Sequence, residues 1–495
     1  MRLDEVMASD VPGAAAVQVV ALAYDSRRVR PGTLFFCVPG FTSDGHDHAP
    51  DAVSRGACAL VVERPLDLGV PEVLVDSVRT AMGPAAARFF GDPTRRLAVV
   101  GVTGTNGKTT TAFILRGLLE AVGRRTALLG TVKAVIGGHE RPTQRTTPEA
   151  IDLQGDFATM LDAGDHGCVM EVSSHALALG RADGVHFAVA VFTNLTQDHL
   201  DFHPTMEDYY QAKRRLFAPR AAHGPGAAVI NVDDPYGRRL AAELPAALTF
   251  ALEHEADFRA RDVSMGLDGA RFTLDTPEGG ALAVSLSVPG RFNVSNALAA
   301  LAAAHALGVA LEEAVEALAT RVSVPGRFEP VDEGQDFAVL VDYAHTPDGL
   351  DNVLRAAREL ARGRVLCVFG AGGDRDRAKR PLMGQIAAGL ADVVVVTSDN
   401  PRSEDPDAII ADIISGVPGD GADGRASVSA VADRRLAVAR AVGHARSGDV
   451  LVIAGKGHEQ GQELAGGRTV AFDDVTVARA ALRELGAPVG HGAPP

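Results

Sequence analysis

The segment RLAVVGVTGTNGKTTTAFILRGLLEAVG, residues 96–123, constrains the chain more than any other. Leu97 to Val102 is a short apolar run that reads as a buried strand. A Gly-rich turn follows at once. From Thr109 the apolar residues Phe113, Ile114 and Leu118 recur at helical spacing, and Gly123 supplies a stop. Strand, Gly-rich loop and helix form the geometry that cradles phosphate. Glycines let backbone N–H groups approach phosphate oxygens, and the helix N-terminus adds a favourable dipole. Gly104, Thr105, Asn106, Gly107, Lys108, Thr109 and Thr110 are the candidate ATP loop. Lys108 can balance charge on the β/γ-phosphates, and Thr109 can place a hydroxyl on Mg²⁺. The loop departs from the strict phosphate-loop pattern: Val102 stands where a glycine is expected, flanked by Gly101 and Gly104. The competing reading is a Gly-rich turn with a solvated lysine, which the strand and helix on either side disfavour.

A chain of 495 residues has room for several domains. The patterning divides it into three α/β blocks, with boundaries expected at 1–95, 96–324 and 325–495. The first has short strand-like runs, TLFFCV and ACALVV, a helical stretch at RTAMGPAAARFF, and a linker at GDPTRR. The second continues from the ATP loop through TALLGTV, GCVMEVSSH, FAVAVFTNL and AAVINVDD, a parallel sheet wrapped by helices, to the Ala-rich helix RFNVSNALAALAAAHALG. The third alternates helices with FAVLVDYAH, RVLCVFGAGG, ADVVVVTSDN and GDVLVIAGKGHE, a Rossmann-like pattern. Each of its strands ends in polar residues or glycines, where open α/β sheets bind ligands.

The net charge of −15 and the lack of a long basic run argue against a general nucleic-acid or anionic-membrane binder. Cys37, Cys58, Cys168 and Cys367 have neither zinc nor redox-pair spacing, and read as free core thiols in a reducing compartment. The acidic N-terminus is no secretory signal, and no apolar run is long enough to span a bilayer. A cytoplasmic, monomeric enzyme is the expectation. The tail GAPVGHGAPP is expected to be disordered.

Further polar constellations follow the loop. MEVSSHAL puts Glu171, Ser173 and His175 at one strand end, and TNLTQDHLDFH puts Asn194, Asp198 and His199 at another. Read singly, these are helix caps and satisfied histidines. Beside a triphosphate, Glu and His suit Mg²⁺, which takes few protein ligands. Lys213, in YYQAKRRLF, reads as a solvated residue on a helix face. Asn293 and Asn296 share a helical face and suit either an adenine edge or a cap and a core amide. Arg327 in PGRFE, and Asp342, Tyr343 and His345 in DYAHTPDGL, open the third block.

These elements, in this order and over nearly the whole chain, resemble the Mur ligase family, the ATP-dependent amino-acid ligases of peptidoglycan synthesis. YDSRRV with GFTSDGHDH, QRTTPEA, and GGDRDRAKRP through SDNPR to GKGHE resemble the members that add the third residue of the stem peptide. The resemblance implies a uridine-nucleotide-binding first domain, a central P-loop ATPase-like domain and a Rossmann-like third. It implies that Tyr24, Ser26, Phe41, Thr42 and Ser43 hold the uridine nucleotide, and that Thr146, Thr147, Ser173 and Arg181 hold the muramoyl-dipeptide. Two positions depart from the pattern: Leu179 replaces a common glutamine contact, and Tyr24 stands where some relatives have an aliphatic residue. Asn293, Asn296, Arg327 and Asp342 would serve ATP, Glu171, His199 and Thr109 would position Mg²⁺, and Lys213 would be carbamylated into an anionic Mg²⁺ ligand.

The substrates implied are ATP, UDP-N-acetylmuramoyl-L-alanyl-D-glutamate and meso-2,6-diaminopimelate. Arg375, Asp399, Asn400, Pro401, Arg402, Gly455 and Glu459 would form the amino-acid pocket. Guanidinium groups bind carboxylates bidentately and carboxylates accept from ammonium groups, which suits a diamino acid with a second amino–carboxyl head. Lysine or ornithine as the added residue, and a folylpolyglutamate synthase-type ligase, are the alternatives; a P-loop kinase would leave the third block without a purpose. Taken alone, Asp399 to Arg402 also read as a turn ahead of a helix with Pro406 at its start.

Overall fold

The computed structural model describes residues 1–8, 14–218, 224–319, 324–418 and 426–486. The expectation for the Gly/Pro-rich tail lies, beyond Gly486, outside these residues.

Three sheets organise the chain. The first is a four-stranded parallel sheet in sequential order, Ala21–Ala23, Thr33–Phe36, Ala57–Val62 and Glu72–Leu74. The helix Val78–Phe89 packs on it, with Ser77 as a capping acceptor for Thr80 N–H.

The second sheet has eleven strands. Its centre is parallel, with the phosphate-loop strand Ala98–Thr103 between Phe187–Phe192 and Gly167–Glu171. These strands are apolar on both faces because helices cover both. On one side lie Lys108–Ala121 and the Ala-rich Arg291–Ala306, buried from Asn296 to Ala304; on the other lie Ala150–Asp162 and Met206–Arg214. The expectation of a parallel sheet holds for the centre and fails at the edges. Phe258–Gly266, Gly269–Asp275 and Ala281–Leu286 form an antiparallel meander on one edge, and Ala134–Ile136 and His139–Arg141 a hairpin on the other. The meander alternates polar and apolar residues because one face is solvated.

The third sheet runs Glu329–Pro330, Ala338–Asp342, Val450–Ala454, Val365–Phe369, Val393–Val396 and Ser427–Ala430; all but the first are parallel. Val450–Ala454, last in sequence, inserts between Ala338–Asp342 and Val365–Phe369. Helices cover both faces, and the strands' carboxyl ends open toward the central sheet's phosphate loop. No helix among the described residues is long and apolar enough to cross a membrane, and the four cysteines are free, with Cys37, Cys168 and Cys367 buried.

Candidate active site

The strand Ala98–Thr103 ends in the loop and the helix begins at Lys108. Gly104 (φ 154°) and Gly107 (φ 86°) occupy backbone conformations that side chains rarely adopt. A Cβ on Gly104 would lie 1.9 Å from Thr193 Oγ1, and one on Gly107 2.3 Å from Asn296 Oδ1. Asn296 therefore braces the loop from behind. It also lines the cleft, whereas Asn293 is buried with its amide donating to Pro289 O at 2.7 Å. Lys108 Nζ folds back over the loop and donates to Gly104 O (2.9 Å) and Thr105 O (2.8 Å). Burial lowers its pKa, with Glu171 and Asp198 opposing that shift.

Glu171 closes one side of the loop. Its carboxylate accepts from Thr109 Oγ1 (3.0 Å), Thr131 N (2.8 Å) and Thr131 Oγ1 (3.0 Å). His199 stands in a left-handed conformation (φ 54°) beside Asp198, with its ring 4.9 Å from that of His175. Desolvation pulls its pKa to about 4, so the imidazole is neutral near pH 7 and free to act as a ligand or acceptor. No group of three or more His, Cys, Asp or Glu side chains among the described residues forms a ready metal cage.

Lys213 corrects the sequence reading of a solvated helix-face residue. It is 1% exposed. Its Nζ donates to Gly104 O at 2.7 Å and sits 4.5 Å from the centre of the Tyr209 ring. Desolvation, reinforced by Lys108, holds its pKa well below the usual lysine value. The helix Met206–Arg214 is amphipathic, and Lys213 lies on its inward face with Tyr209 and Tyr210. The charged run KRR hid this in the sequence.

The third block meets the loop directly. Arg327 Nη2 donates to Thr109 Oγ1 at 3.2 Å, and its guanidinium lies 4.5 Å from the centre of the Tyr343 ring. Asp342 accepts from Phe328 N and Ala344 N, both at 2.7 Å, and burial raises its pKa to about 6. Asp348 accepts from Asn106 Nδ2 (2.6 Å) and Thr196 Oγ1 (3.2 Å), which fastens the first turn of Pro347–Leu360 to the phosphate loop. Sequence reasoning missed Asp348; its place one residue after the helix-starting Pro347 was the only signal.

One cleft of about 820 Å³ joins the two sides. Central residues on its wall include Lys108, Thr146, Thr147, Glu171, Ser173, Arg181, His199 and Lys213; third-block residues include Arg375, Asp399, Asn400, Arg402, Gly455 and Glu459. Asp399 and Asn400 are buried, and Asn400 Nδ2 donates to Glu459 Oε2 at 2.8 Å. Pro401 does not line the cleft; its carbonyl instead packs on Gly373, where a Cβ would lie 1.9 Å away. Two lysines went unread in the sequence. Lys456 is fully buried and donates to Asn400 Oδ1 and Glu459 Oε2, each at 2.9 Å. Lys379 lines the cleft and donates to His345 O at 2.8 Å.

Thr147 Oγ1 donates to Glu171 O (2.9 Å) and accepts from Ser173 N (3.1 Å). Arg181 Nε lies 2.9 Å from the Glu149 carboxylate, which Arg79 and Arg145 also face. The first-block candidates lie outside the cleft wall. Tyr24 donates to Asp152 Oδ2 at 2.5 Å, which ties the first block to the helix Ala150–Asp162. Ser26 is buried, and Ser43 Oγ lies 2.8 Å from His48 Nε2. Phe41 is 79% exposed and meets the Phe202 ring edge-on at 5.9 Å, so the 41–43 loop stands open beside the central block.

Comparison with known proteins covers nearly the whole chain. Residues 18–90 match the family model "Mur ligase family, catalytic domain", 102–304 the "Mur ligase middle domain" and 326–457 the "Mur ligase, glutamate ligase domain". The chain is similar to UDP-N-acetylmuramoyl-L-alanyl-D-glutamate–2,6-diaminopimelate ligase of Geobacillus kaustophilus, 50% identical over 476 residues, covering 94% of this chain and 96% of that one. It is 46% identical over 497 residues to the protein of that name from Solibacter usitatus, covering 98% and 99%. A solved structure of an enzyme of that name superposes with a TM-score of 0.71 at 34% identity, covering 99% of this chain and all of the other. Fold and site together define an ATP-dependent ligase that forms a C–N bond. The chain belongs to the Mur ligase family.

Proposed function

We propose that this enzyme joins meso-2,6-diaminopimelate to the D-glutamate side-chain carboxylate of UDP-N-acetylmuramoyl-L-alanyl-D-glutamate, with hydrolysis of ATP to ADP and phosphate. The observation that carries the reading is the single cleft that holds a phosphate loop at one end and a paired acid–guanidinium set, Asp399, Glu459, Arg375 and Arg402, at the other.

The substrate carboxylate attacks the γ-phosphorus of ATP, ADP leaves, and an acyl phosphate forms. Lys108 and the loop N–H groups hold the phosphates, and Arg327 adds charge from the third block. Phosphate binding would draw Lys108 Nζ from the Gly104 and Thr105 carbonyls it now caps. Asn296 steadies the loop for ATP, with Asn293 behind it. Thr146, Thr147, Ser173 and Arg181 place the glutamyl carboxylate, while the uridine end reaches Tyr24, Ser26 and the 41–43 loop. The amine of the incoming amino acid then attacks the acyl carbon, and the tetrahedral intermediate collapses to an amide and inorganic phosphate. Acyl phosphates hydrolyse, so the contacts of Arg327 and Asp348 with the loop favour the reaction by shielding it from water.

Glu171 and Thr109, oxygen donors beside the loop lysine, fit Mg²⁺ bound by few protein ligands together with phosphate oxygens and water, and neutral His199 and Lys213 stand near them. When bound, the ion neutralises charge on the transferring phosphoryl group. Burial disfavours the charged form of Lys213, and its neutral amine can add CO₂ with loss of a proton to form a carbamate. That anion would balance the charge of Lys108.

Each strand of the assignment is tested by mass spectrometry of the product formed from ATP, the UDP-dipeptide and diaminopimelate. The expected product is heavier than the nucleotide substrate by diaminopimelate less one water. Formation of no such product would end the proposal.

A further inference from the structure

Arg402 is held in an unusual way. Its backbone is left-handed (φ 51°), a strained conformation for a side-chain-bearing residue, and it persists only where the surroundings fix it. The surroundings are largely one antiparallel hairpin, Gly461–Leu464 with Arg468–Ala471, which the sequence did not announce. Glu463 supplies most of the contacts. Its carbonyl accepts from Arg402 N (3.2 Å), its carboxylate accepts from Arg402 Nε (2.6 Å), and its own N–H donates to Asn400 Oδ1 (2.9 Å). Next to it, Gln462 Nε2 donates to Asp399 O (2.7 Å). The hairpin therefore grips Asp399, Asn400 and Arg402 with residues that are not part of the cleft wall.

This grip has a chemical consequence. A guanidinium can receive a carboxylate on its Nε–Nη2 edge or on its terminal Nη1–Nη2 edge. Glu463 occupies Nε, and Gly373 O takes one Nη1 hydrogen at 2.8 Å. One Nη1 hydrogen and the Nη2 hydrogen outside that edge are left for a ligand. Asn400 is fixed in the same manner: its Oδ1 is filled by Lys456 Nζ and Glu463 N, so its Nδ2 faces Glu459.

We infer that Glu463, a residue outside the cleft wall, is a positioning residue for amino-acid selection: it fills the Nε edge of Arg402 and leaves the terminal edge to clamp a carboxylate of the incoming diamino acid. The inference rests on the proposed function above. It names a partner that acts through Arg402 and does not touch substrate.

The test is steady-state kinetics on the full-length enzyme with each of the three substrates varied in turn. Glu463→Ala is expected to raise the KM for diaminopimelate roughly tenfold, as loss of a charge-assisted bond implies. The KM values for ATP and the UDP-dipeptide stay within about twofold, and Glu463→Gln, which keeps an acceptor oxygen at the same reach, recovers most of the loss. An unchanged diaminopimelate KM in Glu463→Ala, or a parallel rise in all three KM values, overturns the inference and leaves the hairpin as scaffolding. Should Glu463→Ala fail to fold, Glu463→Gln and Glu463→Asp decide: the shorter Asp side chain must raise the diaminopimelate KM more than Gln does, and the reverse order refutes the positioning role. Wild-type enzyme that uses lysine and ignores diaminopimelate would instead overturn the substrate assignment and the inference with it, a result visible before any variant is made.

Discussion

Replacing Gly455 by alanine puts a single methyl group against the amino-acid pocket. Gly455 ends the strand Val450–Ala454 with φ 115°, and a Cβ there would stand 2.4 Å from Asp399 Oδ2. Ordinary contact between such atoms begins near 3.4 Å, so the carboxylate must retreat by about 1 Å, and a shift of that size at a reacting or recognising group can lower a rate about a hundredfold. Asp399 is buried, its carbonyl is held by Gln462, and Arg434 Nη1 lies 3.9 Å from the same Cβ position, so the carboxylate cannot keep its present place. The backbone conformation adds a strain of about 1–3 kcal/mol. Gly455→Ala is therefore expected to lower Tm by several degrees and to raise the diaminopimelate KM by at least about tenfold, with the ATP KM unchanged. Phosphate release measured at varied diaminopimelate and at varied ATP separates these effects. A variant with a lowered Tm and an unchanged diaminopimelate KM would remove Asp399 from amino-acid recognition, because the carboxylate would then have moved without consequence for the amino acid.

Lys213→Met should abolish at least about a hundredfold of the activity while raising Tm, since an apolar side chain replaces a buried amine. The pKa of Lys213 is depressed in the fold, so the folded state binds fewer protons than the unfolded one. In CO₂-depleted buffer the Tm gain should therefore be larger at low pH and shrink as pH rises toward 10.5; a gain that grows with pH contradicts the burial argument. Arg402→Lys should weaken diaminopimelate binding and leave ATP binding intact, because an ammonium cannot serve Glu463, Gly373 and a carboxylate together; equal loss of both marks a structural role. Asp348→Ala removes the acceptor shared by Asn106 and Thr196, and small-angle scattering without ligands should show a larger radius of gyration than wild type. An identical scattering curve would mean that Asp348 does not hold the third block to the loop.

Much of the fold was legible because its central elements are locally redundant. The valines at 393–396, the apolar run 97–102 and the Ala-rich helix Arg291–Ala306 each carry one unambiguous pattern, and tertiary packing had nothing to override. Pro406 starts its helix behind the Asp405 cap as expected. The meander Phe258–Leu286 and the hairpin Gly461–Ala471 were not read: charged residues interrupt the meander's apolar alternation, and the hairpin has no buried residue and depends on its pairing partner. The same distinction runs through the site. Gly104 to Thr110 stood out because the phosphate loop is contiguous. Lys213, Asp348, Lys456 and Glu463 gain their places at the site from Gly104, Asn106, Asn400 and Arg402, each 56 or more positions away in the chain. No local pattern encodes such contacts.

In the proposed function the phosphate loop activates one substrate while Asp399, Asn400, Arg402 and Glu459 choose the other. ATP-dependent phosphate release with the UDP-dipeptide and, in parallel, diaminopimelate, lysine or ornithine separates these roles. Turnover with meso-diaminopimelate at a kcat/KM at least about a hundredfold above the other two is the predicted result, since lysine and ornithine leave the guanidinium clamp without its carboxylate. Equal turnover with lysine, or turnover with lysine alone, would contradict it.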